Sequence, residues 1–275
     1  MNWFIFSIFT AFAWGGAIIL EKLGVIRISP PRFLMFQGII YLVFYFIVWR
    51  FLGTKFPRGN YLYPILSEGC AALAFIFFFS ALKEAPASLI VPITSFYMVI
   101  GILIGKFLFH NIISFRQSTG IFLSVIGILL LTIKDISFKK GSWIWAALIT
   151  MILWGVWAGF SDMSVRIVRP INLNLFFSFM GILIWTPYYF LYRKKEANGD
   201  KRGYLFGAGS SLLSGTGSIF FYFAIFHSNV SLVIPVANIY PLFSVIFGVT
   251  IGERPSLFQW IGFPFVISGL FLIGG

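Results

Sequence analysis

Glu68 is a carboxylate set in an apolar run, with Leu66, Ala71 and Phe75 around it. In hydrocarbon such a group costs about 2.5–3.5 kcal/mol on insertion scales. It is therefore expected to face a neighbouring polar helix or a watery cavity, where it can carry a proton or bind a cation. A glutamate that reaches an interface or pairs with a loop arginine is the plainer alternative. Lys22 and Asp162 end two other apolar runs and carry opposite charge at matched places. A salt bridge between them would serve coupling, whereas solvated helix-end charges would not. Glu21, beside Lys22, is given less weight. The aromatic and polar candidates for holding a solute are Trp14, Trp154, Trp157, Tyr97, Tyr240, Tyr222, Ser211 and Asn238. His227 falls at a loop. The lone Cys70 and the two histidines offer no metal or disulfide chemistry, so no metal and no cofactor are expected.

These candidates recur in pairs. Ser88-Leu89-Ile90-Val91-Pro92-Ile93 returns as Ser231-Leu232-Val233-Ile234-Pro235-Val236, 143 residues later. The same offset takes Phe36, Gly38, Tyr45 and Arg50 to Phe179, Gly181, Tyr188 and Arg193. Trp14-Gly15 matches Trp154-Gly155, and Ser114, Gln117, Gly120 and Gly127 match Ser256, Gln259, Gly262 and Gly269. Ser211 stands at the repeat match of Glu68. Tyr97 and Tyr240 each follow a matched proline, Pro92 or Pro235, by five residues. Ser95 and Asn238 precede those tyrosines by two residues, about 200° around a helix, and so cannot share their face. The tyrosines are expected to point into a cavity, with Asn238 as the exception. Pro92 and Pro235 are expected to kink their helices and act as hinges.

Composition sets the surroundings of these residues. The chain of 275 residues is 59% hydrophobic, 20% aromatic and 10% charged. Soluble domains carry about 25% charged residues, so lipid must cover this surface. The net charge of +12 is spread over loops, which reads as a membrane-topology signal and not as a nucleic-acid patch. Ten apolar segments follow: 3–21, 33–51, 62–82, 88–108 and 115–133, then 143–166, 172–192, 204–226, 231–251 and 257–274. The first is read as a membrane helix and not as a removed signal peptide. Five crossings per half make the second half enter the bilayer from the opposite side. The expected fold is an all-α integral membrane protein, ten transmembrane helices as two inverted five-helix repeats. The repeats span 1–134 and 143–275, joined by 135–142. Arg50, Lys55, Arg58, Lys106, Arg116, Arg166 and Arg169 fall on one side, and the larger share of the 20 basic residues on the other. That bias puts both termini outside the cytoplasm, although the matched loops at Arg50 and Arg193 are both basic.

Small residues crowd the eighth segment, from Gly207 through Ser210, Ser211, Ser214, Gly215 and Gly217 to Ser218. The glycines suit close helix packing, as do Gly101 with Gly105 and Ser244 with Gly248 and Gly252. Hydroxyls around the whole helix exceed what one seam needs, so some are expected to line a cavity.

Gly252-Glu253-Arg254-Pro255-Ser256, then Gln259-Trp260-Ile261-Gly262 and Gly269, resembles the end of an EamA-type repeat of the drug/metabolite transporter superfamily. The paired Trp-Gly starts and the stretches Ala81 to Pro92 and Ala224 to Pro235 are similar to the same family. His110-Asn111 replace Glu253-Arg254 in the first half, which marks that pair as a loop-closing element. The resemblance implies ten helices, a central cavity and alternating access. The residues then point to a multi-pass cell-membrane transporter of a small polar or amphipathic, amino-acid-like metabolite. Protons are the expected coupling ion, and the chain is expected to act as a monomer or weak dimer. A carrier of quaternary-ammonium or other cations with an aromatic cage is the alternative. An intramembrane enzyme would need clustered catalytic groups, and a purely structural subunit would not need matched polar residues.

Overall fold

The computed structural model describes residues 2–85, 87–132, 141–192, 200–250 and 254–274. Among them it is all helical. The helices are α1 (Asn2–Val25), α2 (Pro30–Leu52), α3 (Leu62–Glu84), α4 (Ala87–Ser95), α5 (Tyr97–Phe107) and α6 (Phe115–Thr132). The second half supplies α7 (Trp143–Val168), α8 (Pro170–Tyr192), α9 (Lys201–Phe226), α10 (Val230–Ala237), α11 (Tyr240–Thr250) and α12 (Leu257–Gly274). Among the described residues eight runs are long and apolar enough to cross a membrane, and Ile93–Phe107 and Phe115–Leu131 are shorter apolar runs. Bulky apolar side chains such as Phe51, Phe115, Phe122 and Phe271 stand on the outer surface. Most of the expected link, and Glu253 of the loop motif, lie outside the described residues.

Local chemistry starts the helices where the repeat motifs fall. Ser114 and Gln117 form a reciprocal cap at α6: Gln117 N donates to Ser114 Oγ at 3.2 Å and Ser114 N to Gln117 Oε1 at 2.9 Å. Ser256 and Gln259 repeat it at α12, at 3.3 and 2.8 Å. Each cap satisfies two backbone donors that a helix start leaves free. Prolines at the first positions of α2 need no intrahelical donor.

The halves pack by exchange. α1 lies on α9 as α7 lies on α3, while α2 meets its own mate α8 and α6 its mate α12. The mates run antiparallel. A Cβ on Gly120 would meet the Gly269 carbonyl oxygen at 2.8 Å, and one on Gly262 the Gly127 carbonyl oxygen at 2.8 Å. Gly120 against Gly269 and Gly262 against Gly127 are the same contact seen from either repeat. Near the other end, Gln259 Nε2 donates to the Leu131 carbonyl at 2.9 Å. In α2 and α8, Thr54 N donates to Asn172 Oδ1 at 3.2 Å, while Gly38 packs on Ile182 and Trp185.

The fourth and ninth segments, expected as single kinked helices, are each broken in two. The interruption falls one turn after the proline, at Phe96 and at Asn238-Ile239. Its tight hydrogen bonds recur in both halves. Phe96 N reaches Ile93 O at 3.3 Å as Ile239 N reaches Val236 O at 3.4 Å. Val99 N reaches Phe96 O at 3.0 Å as Leu242 N reaches Ile239 O at 2.8 Å. In the second half Pro241 adds a cause. It offers no N–H to the Ala237 carbonyl. Pro235 sits inside α10, upstream of the break. The backbone at Pro92 belongs to α4, but its side chain lies outside the described residues.

Candidate functional site

A cavity of about 100 Å³ lies where the halves meet. It is lined from α1, α2, α3 and α5 of the first half and from their mates α7, α8, α9 and α11 of the second. The wall is largely aromatic. Trp14, Trp154, Trp157, Tyr97, Tyr222 and Tyr240 all line it, as do Tyr41, Phe75, Phe78 and Phe177. Tyr97 packs edge-on against Trp154, ring centroids 6.0 Å apart, and tilts toward Trp157 at 6.1 Å. Trp14 and Trp157 approach to 6.2 Å across the junction of α1 and α7. The Trp14 indole N–H donates to the Ser214 carbonyl at 3.3 Å, which fixes that ring on α9. Gly217 makes this approach possible, since a Cβ there would lie 2.6 Å from the Trp14 ring.

Glu68 stands one step behind the wall. It is fully buried. The Tyr222 hydroxyl donates to its Oε2 at 2.8 Å and accepts from the Trp157 indole N–H at 3.0 Å. Ser67 Oγ donates to its Oε1 at 3.0 Å and lies 3.1 Å from Ser161 Oγ. The carboxylate thus joins α3, α7 and α9 through two residues that touch the cavity. No cationic side chain pairs with it among the described residues.

Glu21, given little weight from the sequence, lines the cavity directly and is 5% exposed. It is the one acid among the described lining residues, and no described Lys, Arg or His joins it there. The signal for it was a spacing. Trp14, Ala17, Ile18 and Glu21 mark one helical face, so the residue beside Lys22 turns inward while Lys22 itself is exposed.

Three candidates stand elsewhere. Ser211 is buried outside the cavity, its hydroxyl spent on the Gly207 carbonyl at 2.7 Å. Ser214 and Ser218, further along α9, face the cavity instead. Asn238 is fully buried in the break between α10 and α11, where its Nδ2 donates to the Ser95 carbonyl at 3.1 Å and contacts Met98 Sδ at 3.1 Å. Asp162 does not pair with Lys22. Arg166 Nε donates to its Oδ1 at 2.9 Å, and Asn111 Nδ2 and Val230 N donate to its Oδ2 at 3.1 and 3.2 Å. Asp162 therefore anchors the start of α10. His227 ends α9 and packs on Phe6, centroids 5.9 Å apart.

No curated protein matches the sequence. Among solved structures, 29 chains match the fold. One of them, described only as "Crystal structure of protein", is similar over 98% of this chain and 94% of its own, with a TM-score of 0.80 at 16% identity. That likeness bears on the fold alone. The family model described as "EamA-like transporter family" matches twice, over residues 1–133 and 141–275. Two matched copies covering nearly the whole chain agree with the two halves of the fold, and the protein, a multi-pass membrane transporter, belongs to the EamA-like transporter family.

Proposed function

We propose that this transporter moves a small amphipathic solute bearing a cationic head by alternating access. In this reading the chain crosses the cell membrane ten times as two inverted repeats of five, with boundaries near 1–134 and 143–275. The broken α4–α5 and α10–α11 each count as one crossing. The observation that carries the substrate class is the cavity's composition: its described lining residues include ten aromatic side chains and one acid, and no basic side chain. Aromatic faces attract cations, by about 2 kcal/mol or more when desolvated. A carboxylate supplies the opposite charge to an ammonium. An amino-acid-like zwitterion would find no cation among the described lining residues for its own carboxylate, so the lining favours the cationic alternative over the amino-acid expectation. One chain provides every wall, which supports a monomer as the working unit. Matched breaks in the fourth and ninth segments support this reading, since each could serve as a bending point in its half.

Glu68 is proposed as the proton-coupling group, acting on the cavity through Tyr222. The direct test is uptake into liposomes under an imposed pH gradient. The panel is an aromatic primary amine, its trimethylated form, a neutral aromatic amino acid and a sugar. Gradient-driven accumulation of the amines, reduced at least tenfold in Tyr97→Ala and Tyr240→Ala, is the expected result. Accumulation of the sugar or the amino acid alone would overturn the substrate class.

A further inference from the structure

The two ends of the bundle carry their charges differently. Thr54 N donates to Asn172 Oδ1, Asn111 Nδ2 to Asp162 Oδ2 at 3.1 Å, and Arg166 Nη2 to the Ser228 carbonyl at 2.7 Å. The α2–α3, α5–α6, α7–α8 and α9–α10 connections therefore share one end. That end carries Arg50, Lys55, Arg58, Lys106, Arg116 and Arg169, all exposed. None of these six forms an ion pair among the described residues, and Arg166 beside them pairs with Asp162. Of the 8 acids in the chain, Glu68 and Asp162 lie toward this end and both are buried, while Glu21 lines the cavity. The other five, Glu84, Asp135, Glu196, Asp200 and Glu253, come at or after the opposite ends of α3, α6, α8 and α11. There Asp200 Oδ2 pairs with Arg27 Nε at 3.8 Å. Membrane topology follows lysines and arginines and gives acids little weight, so it does not account for an end without surface acids.

We infer that this end is a docking surface for the headgroups of anionic phospholipids. The inference goes beyond the transport reading and does not depend on which solute is carried. Basic side chains at a membrane surface attract anionic headgroups, and here no carboxylate of the same surface competes for them. The neighbouring apolar side chains select a lipid over a soluble anion. Phe51, Phe107 and Phe115 are 80%, 66% and 89% exposed and adjoin Arg50, Lys106 and Arg116 in the chain. Lys106 Nζ lies 6.0 Å from the centroid of the Phe107 ring, and the Arg116 guanidinium 5.9 Å from that of Phe271. A phospholipid covers both parts at once, its acyl chains on the rings and its phosphate on the cations. A soluble polyanion would leave the rings in water.

The test is native mass spectrometry of the full chain released from nanodiscs of mixed phosphatidylcholine and phosphatidylglycerol, read as the ratio of the two lipids that stay bound. The wild type should retain phosphatidylglycerol in preference, and the preference should fall as added salt screens the surface charges. Each basic residue near an anionic surface contributes about fivefold to binding, so Lys55→Gln with Arg58→Gln should lower the ratio by about 25-fold. Lys201→Gln with Arg202→Gln removes the same charge from exposed positions at the opposite end and should leave the ratio unchanged. Thermal midpoints in phosphatidylcholine alone show that both paired variants fold. Phosphatidylglycerol should raise the wild-type midpoint and inorganic phosphate should not. A rise with phosphate in phosphatidylcholine nanodiscs would overturn the lipid as the occupant. No preference in the wild type, or an equal loss in both paired variants, would overturn the docking surface itself.

Discussion

Asn238 Nδ2 donates to the carbonyl oxygen of Ser95 at 3.1 Å, so the helix break of one half is stitched to the helix break of the other. Ser95 is the last residue of α4, and Asn238 follows the last residue of α10. A break exposes carbonyls that the helix would have paired, and each buried one needs a donor. Asn238 supplies one from the opposite repeat and is fully buried in doing so. Asn238→Ala should cost about 1–3 kcal/mol through the unpaired carbonyl. More tellingly, hydrogen exchange should quicken at both breaks, around Val99 and around Leu242. Faster exchange at the second break alone would mean that the two are not mechanically joined.

The pairing of α6 with α12 gives a sharper contrast. A Cβ on Gly127 would lie 2.7 Å from Val266 N, and one on Gly269 would lie 2.7 Å from the Gly120 carbonyl oxygen. Backbone atoms cannot swing aside, so the two helices must separate. Gly127→Ala or Gly269→Ala should lower stability by about 1–3 kcal/mol, as overpacking does. Gly69 in α3 has open space where its Cβ would be. There alanine should be neutral or stabilising by up to about 1 kcal/mol, from helix propensity alone. Thermal midpoints of the three variants in one detergent decide it. A loss at Gly69 equal to the others would remove the packing explanation.

The repeat was legible because matched function needs matched residues: Tyr97 with Tyr240 and Trp14 with Trp154 all reach one cavity. The reciprocal caps were legible too, since Ser-x-x-Gln before an apolar run is a helix-start signature. Other features were hidden for physical reasons. The helix breaks lie a turn beyond the prolines, where no residue type in the first half announces them. Ser211 matched Glu68 in position, yet a serine in a helix can satisfy itself on its own backbone, and this one does. Glu21 sat beside a lysine and read as a helix-end charge. Only the inward face shared with Trp14 and Ala17 separates the two neighbours.

Asp162 is a structural anchor, and its variants should say so. Its oxygens receive Arg166, Asn111 and the first N–H of α10. Arg166 is 44% exposed at its side chain, so solvent screens that ion pair and the bonds to Asn111 and Val230 carry more of the effect. Asp162→Ala should lower stability by about 1.5–3 kcal/mol, while amine affinity in whatever protein folds stays within a factor of two or so of the wild type. A selective loss of proton-driven uptake at unchanged stability would instead place Asp162 in the coupling path.

The proposed coupling role of Glu68 can be separated from its part in the architecture. Its carboxylate takes hydrogen bonds from Tyr222 and Ser67 and has no cation beside it among the described residues. A bare negative charge so buried is expensive, which is why a proton is proposed to compensate it. Glu68→Gln keeps an acceptor for Tyr222 and removes the ionisable group. The variant should fold, with a thermal midpoint equal to or above the wild type. Exchange of labelled amine for unlabelled amine across liposomes at equal pH should continue, because it asks only that the cavity alternate. Accumulation driven by a pH gradient should stop. Tyr222→Phe should act differently, since it removes the hydroxyl that holds Trp157 at the cavity wall. It should weaken amine binding as well as slow gradient-driven uptake. A Glu68→Gln protein that still concentrates amine against a gradient would place the proton site elsewhere, with Glu21 the remaining buried acid at the cavity.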